Sequence, residues 1–139
     1  MSHTGANSEF TFNPTNKVVG VIDNARDAKD ALRDLRAAGF TTGEVELLAG
    51  KEAAREIDVS DEAQEILVHI FLPIQKVPAY YDAPVISRRV EQELLADHYF
   101  IGVTAKDQEA RWRARDVLKS HSGHFINFYG RFAAEALEP

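Results

Sequence analysis

The sequence predicts one α+β domain built from two similar halves, at residues 17–50 and 99–130. Each half begins and ends with a short apolar segment that is typical of a strand. Between these segments, apolar residues recur at spacings of three and four, which is typical of a helix. When the halves are aligned without a gap, Gly20 falls on Gly102 and Ala28 falls on Ala110. Two strand–helix–strand units predict a ferredoxin-like sandwich, in which a four-stranded antiparallel sheet packs against helices.

The first half begins with the β-branched run KVVGVID at residues 17–23, which predicts a buried strand. Asp23 or Asn24 is suited to cap the helix that follows. Gly39 supplies the left-handed residue that ends this helix, and EVELLAG at residues 44–50 predicts the second strand. The predicted buried face of the helix consists of Ala28, Ala31, Leu32, Leu35 and Ala38.

Residues 51–98 predict a helical insertion between the two halves. Residues 51–57 suit a short helix, and the acidic start of DEAQEILVHIF suits a second one. The apolar run within residues 61–72 is nearly continuous, so a buried strand is the alternative prediction there, although we favour a helix. Prolines predict a loop at residues 73–84, and a further helix then runs to about His98.

The second half repeats the order of the first. YFIGVTA at residues 99–105 predicts a strand, Asp107 is suited to cap the next helix, and HFINFYG at residues 124–130 predicts the last strand. The predicted buried face of this helix consists of Ala110, Ala114, Val117 and Leu118.

The predicted strands carry apolar residues on both alternations, which indicates that both faces of the sheet are covered. The insertion or a second subunit must cover the second face, so we expect a homo-oligomer, with a dimer favoured. The predicted domain spans residues 17–132 and follows a flexible tail at residues 1–16. A C-terminal extension follows at residues 133–139, where AAEALE suits a short helix.

The amino-acid composition limits the kinds of molecule that the protein is expected to bind. The chain has 139 residues with 16 basic and 22 acidic side chains, so its net charge of −6 argues against a general binder of nucleic acid or anionic membranes. Cysteine is absent from the sequence, which excludes disulfides and thiolate catalysis. The start of the sequence lacks a signal-peptide pattern, and the longest apolar stretch, residues 66–74, is too short to span a bilayer. We therefore expect a cytoplasmic protein.

Three segments carry a resemblance to a known family. They are VVGVIDNARDAKDALRDLRAAGF at residues 18–40, EQELLADHYFIGVTA at residues 91–105 and VLKSHSGHFINFYGRF at residues 117–132. Their order and their helix ends resemble the bacterial general stress protein family (heat-induced stress protein, YflT-like). The resemblance implies a stress-linked bacterial protein with no assigned reaction, so no catalytic residue carries over. Residues 51–84 lack the Gly- and Ala-rich hairpin that is frequent in this family, so a membrane role tied to that hairpin does not carry over.

Two histidines, His121 and His124, flank Ser122 and Gly123 and invite a metal interpretation. A site built on two histidines needs both on one face, together with a converging third ligand. Gly123 is expected to end the helix between them, so we predict structural roles for both histidines and no metal site. The sequence shows no coherent catalytic set, and we predict neither a catalytic residue nor a cofactor.

Four residues are candidate ligand-binding groups in a pocket between the sheet and the insertion. His69 lies within an apolar run, where a histidine can act as a base or a pH switch. Tyr80 and Tyr81 lie in a proline-bounded loop, and His98 lies at a helix–strand junction. For each of them, ordinary packing or capping is the simpler interpretation.

The candidate interaction residues lie near the end of the chain. Arg111, Trp112 and Arg115 belong to the basic cluster RWRAR, which has a tryptophan at its centre. Arg131 and Phe132 follow the last predicted strand, where a partner is able to contact them. These features favour a non-catalytic, stress-associated protein that acts through protein–protein contacts. The alternative is a small ferredoxin-like enzyme or ligand-binding protein.

Overall fold

The computed structural model describes residues 16–57, 66–71, 88–130 and 134–138, which form an α+β structure with one mixed sheet. Its strands are β1 (Lys17–Ile22), β2 (Val45–Gly50), β3 (Leu67–Phe71), β4 (Tyr99–Thr104), β5 (His124–Tyr129) and β6 (Ala134–Glu138). Its helices are α1 (Ala25–Ala37), α2 (Lys51–Arg55), α3 (Arg88–Leu95) and α4 (Gln108–Ser120), and a 3-10 turn covers Thr42–Glu44.

The described strands lie in the order β3-β2-β4-β1-β5-β6. Strand β1 is antiparallel to both β4 and β5, and β2 is antiparallel to β4. The two outer strands were not among the four predicted: β3 adds parallel to β2, and β6 adds antiparallel to β5. The sheet is therefore wider than predicted, and it is mixed.

Two segments for which the sequence favours a helix are strands in the structure, and for residues 61–72 a strand is the alternative that the sequence leaves open. Residues 67–71 form β3 and residues 134–138 form β6, each at an outer edge of the sheet. Each segment pairs with a strand whose edge is otherwise open, β2 or β5, and so satisfies main-chain groups along that edge. The described part of the predicted helical insertion, residues 51–98, thus contains one strand as well as α2 and α3.

Helix α1 packs on one face of the sheet, here called the first face. The helix begins and ends as the sequence predicts. The Asn24 side chain accepts a hydrogen bond from the Asp27 amide at 2.8 Å, which confirms Asn24 as the cap. Gly39 has a φ of 104°, and the Phe40 amide donates to the Leu35 carbonyl at 3.1 Å, which closes the helix end as predicted. Four of the five predicted face residues are fully buried: Ala28, Ala31, Leu32 and Leu35.

Helix α4 lies beside α1 on the same face, and its cap is also confirmed. Asp107 accepts from the Ala110 amide at 2.8 Å. The helix ends before Gly123, as predicted, and the left-handed residue at this end is Ser122, with a φ of 66°. Gly123 occupies the next position, where its amide donates to the Leu118 carbonyl at 2.7 Å. This is the same hydrogen-bond pattern that ends α1.

The two helices have equal lengths, but the gapless alignment of the halves does not hold through them. The strands β1 and β4 match residue for residue, whereas α1 begins at Ala25 and α4 at Gln108, one residue later than that alignment requires. Arg111, and not Ala110, therefore occupies the place of Ala28. As a result, the fully buried side chains of α4 are Ala114 and Leu118, while Ala110 and Val117 are partly buried.

The second face of the sheet has its own apolar cluster, which includes Val19, Val21, Leu48 and Phe100. Helix α3 contributes Leu94, which is 1% exposed, so part of the insertion covers this face, as one of the two predicted arrangements requires. Within the described part of the chain, no helix combines the length and the apolar character that crossing a membrane would require.

Candidate functional site

Four ionisable side chains meet at one end of the second face: Asp23, Glu93, His98 and His124, here called the Asp23 cluster. Asp23 Oδ1 lies 2.7 Å from His124 Nε2 and 3.3 Å from His98 Nδ1. His98 Nδ1 also lies 2.5 Å from Glu93 Oε1. One ligand atom each from Asp23, Glu93 and His124 can be chosen so that all three lie within 4.8 Å of one another. The cluster joins groups from three separate parts of the chain: the residue after β1, the end of α3 with the turn that follows it, and the start of β5.

The chain brings His124 into this cluster through a β-bulge. Val19 pairs with Asn127 and Val21 pairs with His124, so β5 has one residue more than β1 across this interval. Phe125 lies within the bulge and has a φ of 51°. Because side chains alternate along a strand, a regular β5 would place His124 and Asn127 on opposite faces. The bulge instead puts His124 on the face of Val21, next to Asp23.

The end of α3 brings His98 back over Glu93. Asp97 has a φ of 65°, and the His98 amide donates to the Glu93 carbonyl at 3.0 Å. This left-handed helix end reverses the chain within one turn, so both side chains lie close together. The simpler interpretation of His98 is a cap at the helix end. Its role is larger than that, because its ring also bridges two carboxylates.

Arg89 stabilises the ionised form of Glu93. Burial alone would raise the pKa of Glu93, but hydrogen bonds from His98 and Arg89 outweigh it, and the pKa lies below its usual value. Arg89 Nε lies 2.9 Å from Glu93 Oε2, and its guanidinium stacks 4.3 Å from the centre of the Phe125 ring. The Glu93 carboxylate is thus held from one side by Arg89 and from the other by His98.

A second polar group on the same face surrounds the predicted residue His69, which is 5% exposed. His69 Nε2 lies 2.9 Å from Glu46 Oε1, and Lys17 Nζ lies 3.3 Å from Glu46 Oε2. Burial tends to raise the pKa of Glu46, but the hydrogen bond from His69 and the charge of Lys17 lower it overall. His69 is therefore a buried histidine with an ionic partner, which matches its simpler interpretation.

The two histidines of HSGH have separate partners. His121 Nε2 lies 2.7 Å from Asp34 Oδ2 on α1, whereas His124 joins the Asp23 cluster. The hydrogen bond from His121 holds the pKa of Asp34 below its usual value. His121 has the structural role that we predicted, between the two helices. The assignment of His124 to a purely structural role overlooked its convergence with Asp23 and Glu93.

The other predicted residues fall into two groups. Tyr80, Tyr81, Arg131 and Phe132 lie outside the described residues. Among the described candidates for a pocket, His69 and His98 contact different carboxylates, Glu46 and Glu93 respectively.

The basic cluster of α4 is partly occupied by intramolecular contacts. The Arg111 guanidinium lies 3.8 Å from the centre of the Phe128 ring, and that of Arg113 lies 4.9 Å from the centre of the Phe40 ring. Arg115 Nη2 lies 2.9 Å from Asp116 Oδ1. Trp112 remains 48% exposed between them. Two of the arginines therefore anchor α4 to neighbouring rings and leave the tryptophan on the surface.

Sequence patterns did not single out Asp23 or Glu93 as site residues. The sequence predicts for Asp23 only a possible role as a helix cap, but Asn24 takes that role and leaves the Asp23 carboxylate available to the histidines. The doublet of Asp23 and Asn24 is the one local signal, since a helix start needs only one capping side chain. No protein-family model, no curated protein and no solved structure matches this chain.

Proposed function

We propose that this chain is a non-catalytic, stress-associated cytoplasmic protein that acts through protein–protein contacts, and that α4 forms its contact with a second copy. The observation that carries the contact is Trp112, which is 48% exposed near the middle of a helix. Tryptophan is enriched among the residues that dominate binding energy, because it buries a large apolar area with little loss of side-chain freedom. The stress role rests on the sequence resemblance to the general stress protein family.

The surface around Trp112 is defined by the helical period. Residues three, four and seven positions away lie on the same side of a helix as Trp112. This Trp112 face consists of Gln108, Glu109, Trp112, Arg115, Asp116 and Lys119. Trp112 is the single apolar residue of this face, and polar or charged residues lie on both sides of it, as in the polar rim of a protein interface.

The charges on this face are complementary to those of a second copy of the same face. Two α4 helices that cross antiparallel at Trp112 place Glu109 of one copy opposite Arg115 of the other, because each lies three residues from the tryptophan. The two-fold axis repeats this pair, so the contact contains two opposite-charge pairs around a pair of tryptophans. The overall charge of −6 opposes association, and these pairs reduce that repulsion locally.

The finer description of the fold is part of the same proposal. Strands β2, β4, β1 and β5 are neighbours in that order and antiparallel throughout, and α1 and α4 connect their strands on one face. We infer that this part is a ferredoxin-like unit, extended by β3 and β6.

Sedimentation velocity over a range of protein concentrations tests the contact. We expect reversible dimerisation, and Trp112 is the only tryptophan of the chain, so its emission should shift to shorter wavelength as the dimer forms. Trp112→Ala should cost about 2 kcal/mol or more of binding free energy, roughly a 30-fold weaker dimer. Leu95→Ala is the matched control, because Leu95 is 57% exposed outside the Trp112 face and should leave the dimer unchanged.

A charge exchange tests the antiparallel geometry. Arg115→Glu should weaken the dimer, and the double variant Glu109→Arg with Arg115→Glu should restore it, since both pairs are then reversed together. A wild-type chain that stays monomeric at all concentrations would contradict the proposed contact. Cell fractionation tests the proposed cytoplasmic location. Protein levels before and after heat shock test the stress role, and an unchanged level would count against it.

A further inference from the structure

The Asp23 cluster has the composition of a cation site. It contains two imidazoles and two carboxylates, and these are the nitrogen and oxygen ligands that divalent transition metals prefer. Its members come from the end of β1, from α3, from the turn before β4 and from the start of β5. Convergence of this kind depends on the whole fold and is more than a run of charges along one helix.

The distances within the cluster suit a zinc ion. Zinc binds nitrogen and oxygen ligands at about 2.0–2.2 Å, so neighbouring ligand atoms of a tetrahedral site lie roughly 3.3 Å apart. Here His124 Nε2 and Asp23 Oδ1 are 2.7 Å apart, and the ligand atoms of Asp23, Glu93 and His124 all lie within 4.8 Å. In a zinc site the ligand atoms of Asp23 and His124 would lie roughly 0.6 Å further apart than they do here.

The carboxylates are already oriented by neighbouring donors. Arg89 binds Glu93 Oε2 at 2.9 Å, which leaves Oε1 directed towards His98 and the cluster. His98 contacts both Glu93 and Asp23, so it is placed to hold the two carboxylates in position around an ion. The Glu93 side chain is 13% exposed and that of Asp23 is 54% exposed, so the site is anchored inside and open to water outside.

We propose that Asp23, Glu93 and His124 bind a divalent transition-metal ion, with Zn²⁺ as the best match, and that His98 positions the two carboxylates. Three protein ligands leave one position of a tetrahedral ion for water from the exposed side. The β-bulge at Phe125 is the structural element that makes the site possible, because it turns His124 onto the face of Asp23. This site is independent of the proposed contact at Trp112.

Calorimetric titration of the metal-free full-length chain with Zn²⁺ tests the proposal. We expect saturable binding of one ion per chain. His124→Ala and Asp23→Asn should each weaken binding at least tenfold, by analogy with the effect of altering groups around metal sites. Asp23→Asn keeps the side-chain volume, so it remains informative if His124→Ala folds poorly.

His121→Ala provides the matched control. His121 is also a partly exposed histidine, with an Asp34 carboxylate 2.7 Å away, but it lies outside the Asp23 cluster. Its replacement should leave Zn²⁺ affinity unchanged, and so should Trp112→Ala. Co²⁺ gives a second readout, since its visible absorption reports coordination by the protein and should be lost in Asp23→Asn. Absence of one-to-one binding, or an equal loss of affinity in His121→Ala and His124→Ala, would overturn the proposal.

Discussion

Replacing Gly123 by alanine tests the role of this residue at the junction of α4 and β5. A Cβ added at Gly123 would lie 2.5 Å from the Leu118 carbonyl oxygen and 2.9 Å from its carbonyl carbon. Ordinary carbon–oxygen contacts begin near 3.3 Å, so the backbone must move by roughly 0.8 Å. The atom in the way is main chain, which cannot rotate aside as the end of a flexible side chain can.

The expected loss of folding stability in Gly123→Ala has two parts. Forced displacement in a packed region costs about 1–3 kcal/mol, and weakening the 2.7 Å hydrogen bond from the Gly123 amide to Leu118 adds about 1 kcal/mol. We therefore expect Gly123→Ala to lower the free energy of unfolding by roughly 3 kcal/mol. For a chain of this length, that corresponds to a fall of roughly 10 °C in Tm.

Urea unfolding followed by far-UV circular dichroism measures this difference. Gly43→Ala is the matched control, because a Cβ added at Gly43 meets no atom within 4 Å. That variant should change stability by about 0.5 kcal/mol or less, as surface substitutions usually do. If Gly123→Ala were as stable as Gly43→Ala, the close approach to Leu118 would not constrain residue 123 and the reasoning would be wrong.

Two further substitutions test the helix end and the core. Ser122→Gly should raise the free energy of unfolding by about 1 kcal/mol in the same urea assay, since glycine adopts the φ of 66° without strain, and a loss of stability would contradict this. Tyr99→Phe should cost about 1–3 kcal/mol at neutral pH, because the Tyr99 hydroxyl donates to the Ala53 carbonyl at 2.7 Å and its loss leaves a buried acceptor unpaired. Burial, with Glu56 and Asp97 nearby, raises the pKa of Tyr99 to about 12, so the wild-type advantage should be complete below pH 10 and shrink between about pH 10 and 12. An advantage that stays constant over that range in pH-dependent unfolding would count against the raised pKa.

Local patterns were sufficient to predict most of the regular elements. The caps at Asn24 and Asp107 and the end of α1 at Gly39 depend on contacts between residues at most five positions apart, so the chain near each position specifies them. The prediction of helices at residues 67–71 and 134–138 was wrong for the opposite reason. Whether a short apolar or mixed segment becomes a strand depends on an open strand edge elsewhere, which β2 and β5 provide.

The same difference between local and long-range contacts separates the two candidate sites, Trp112 and the Asp23 cluster. Trp112 was identified from its basic neighbours along one helix, and its exposure is consistent with that placement. The Asp23 cluster joins residues up to 101 positions apart, and it depends on a one-residue bulge in β5 that reverses the face on which His124 lies. Residue types and helical spacing determine the elements, their caps and their amphipathic faces, because those follow from neighbouring atoms. Strand neighbours, register and the meeting of Asp23, Glu93 and His124 arise when distant segments pair, and that pairing is a property of the folded chain.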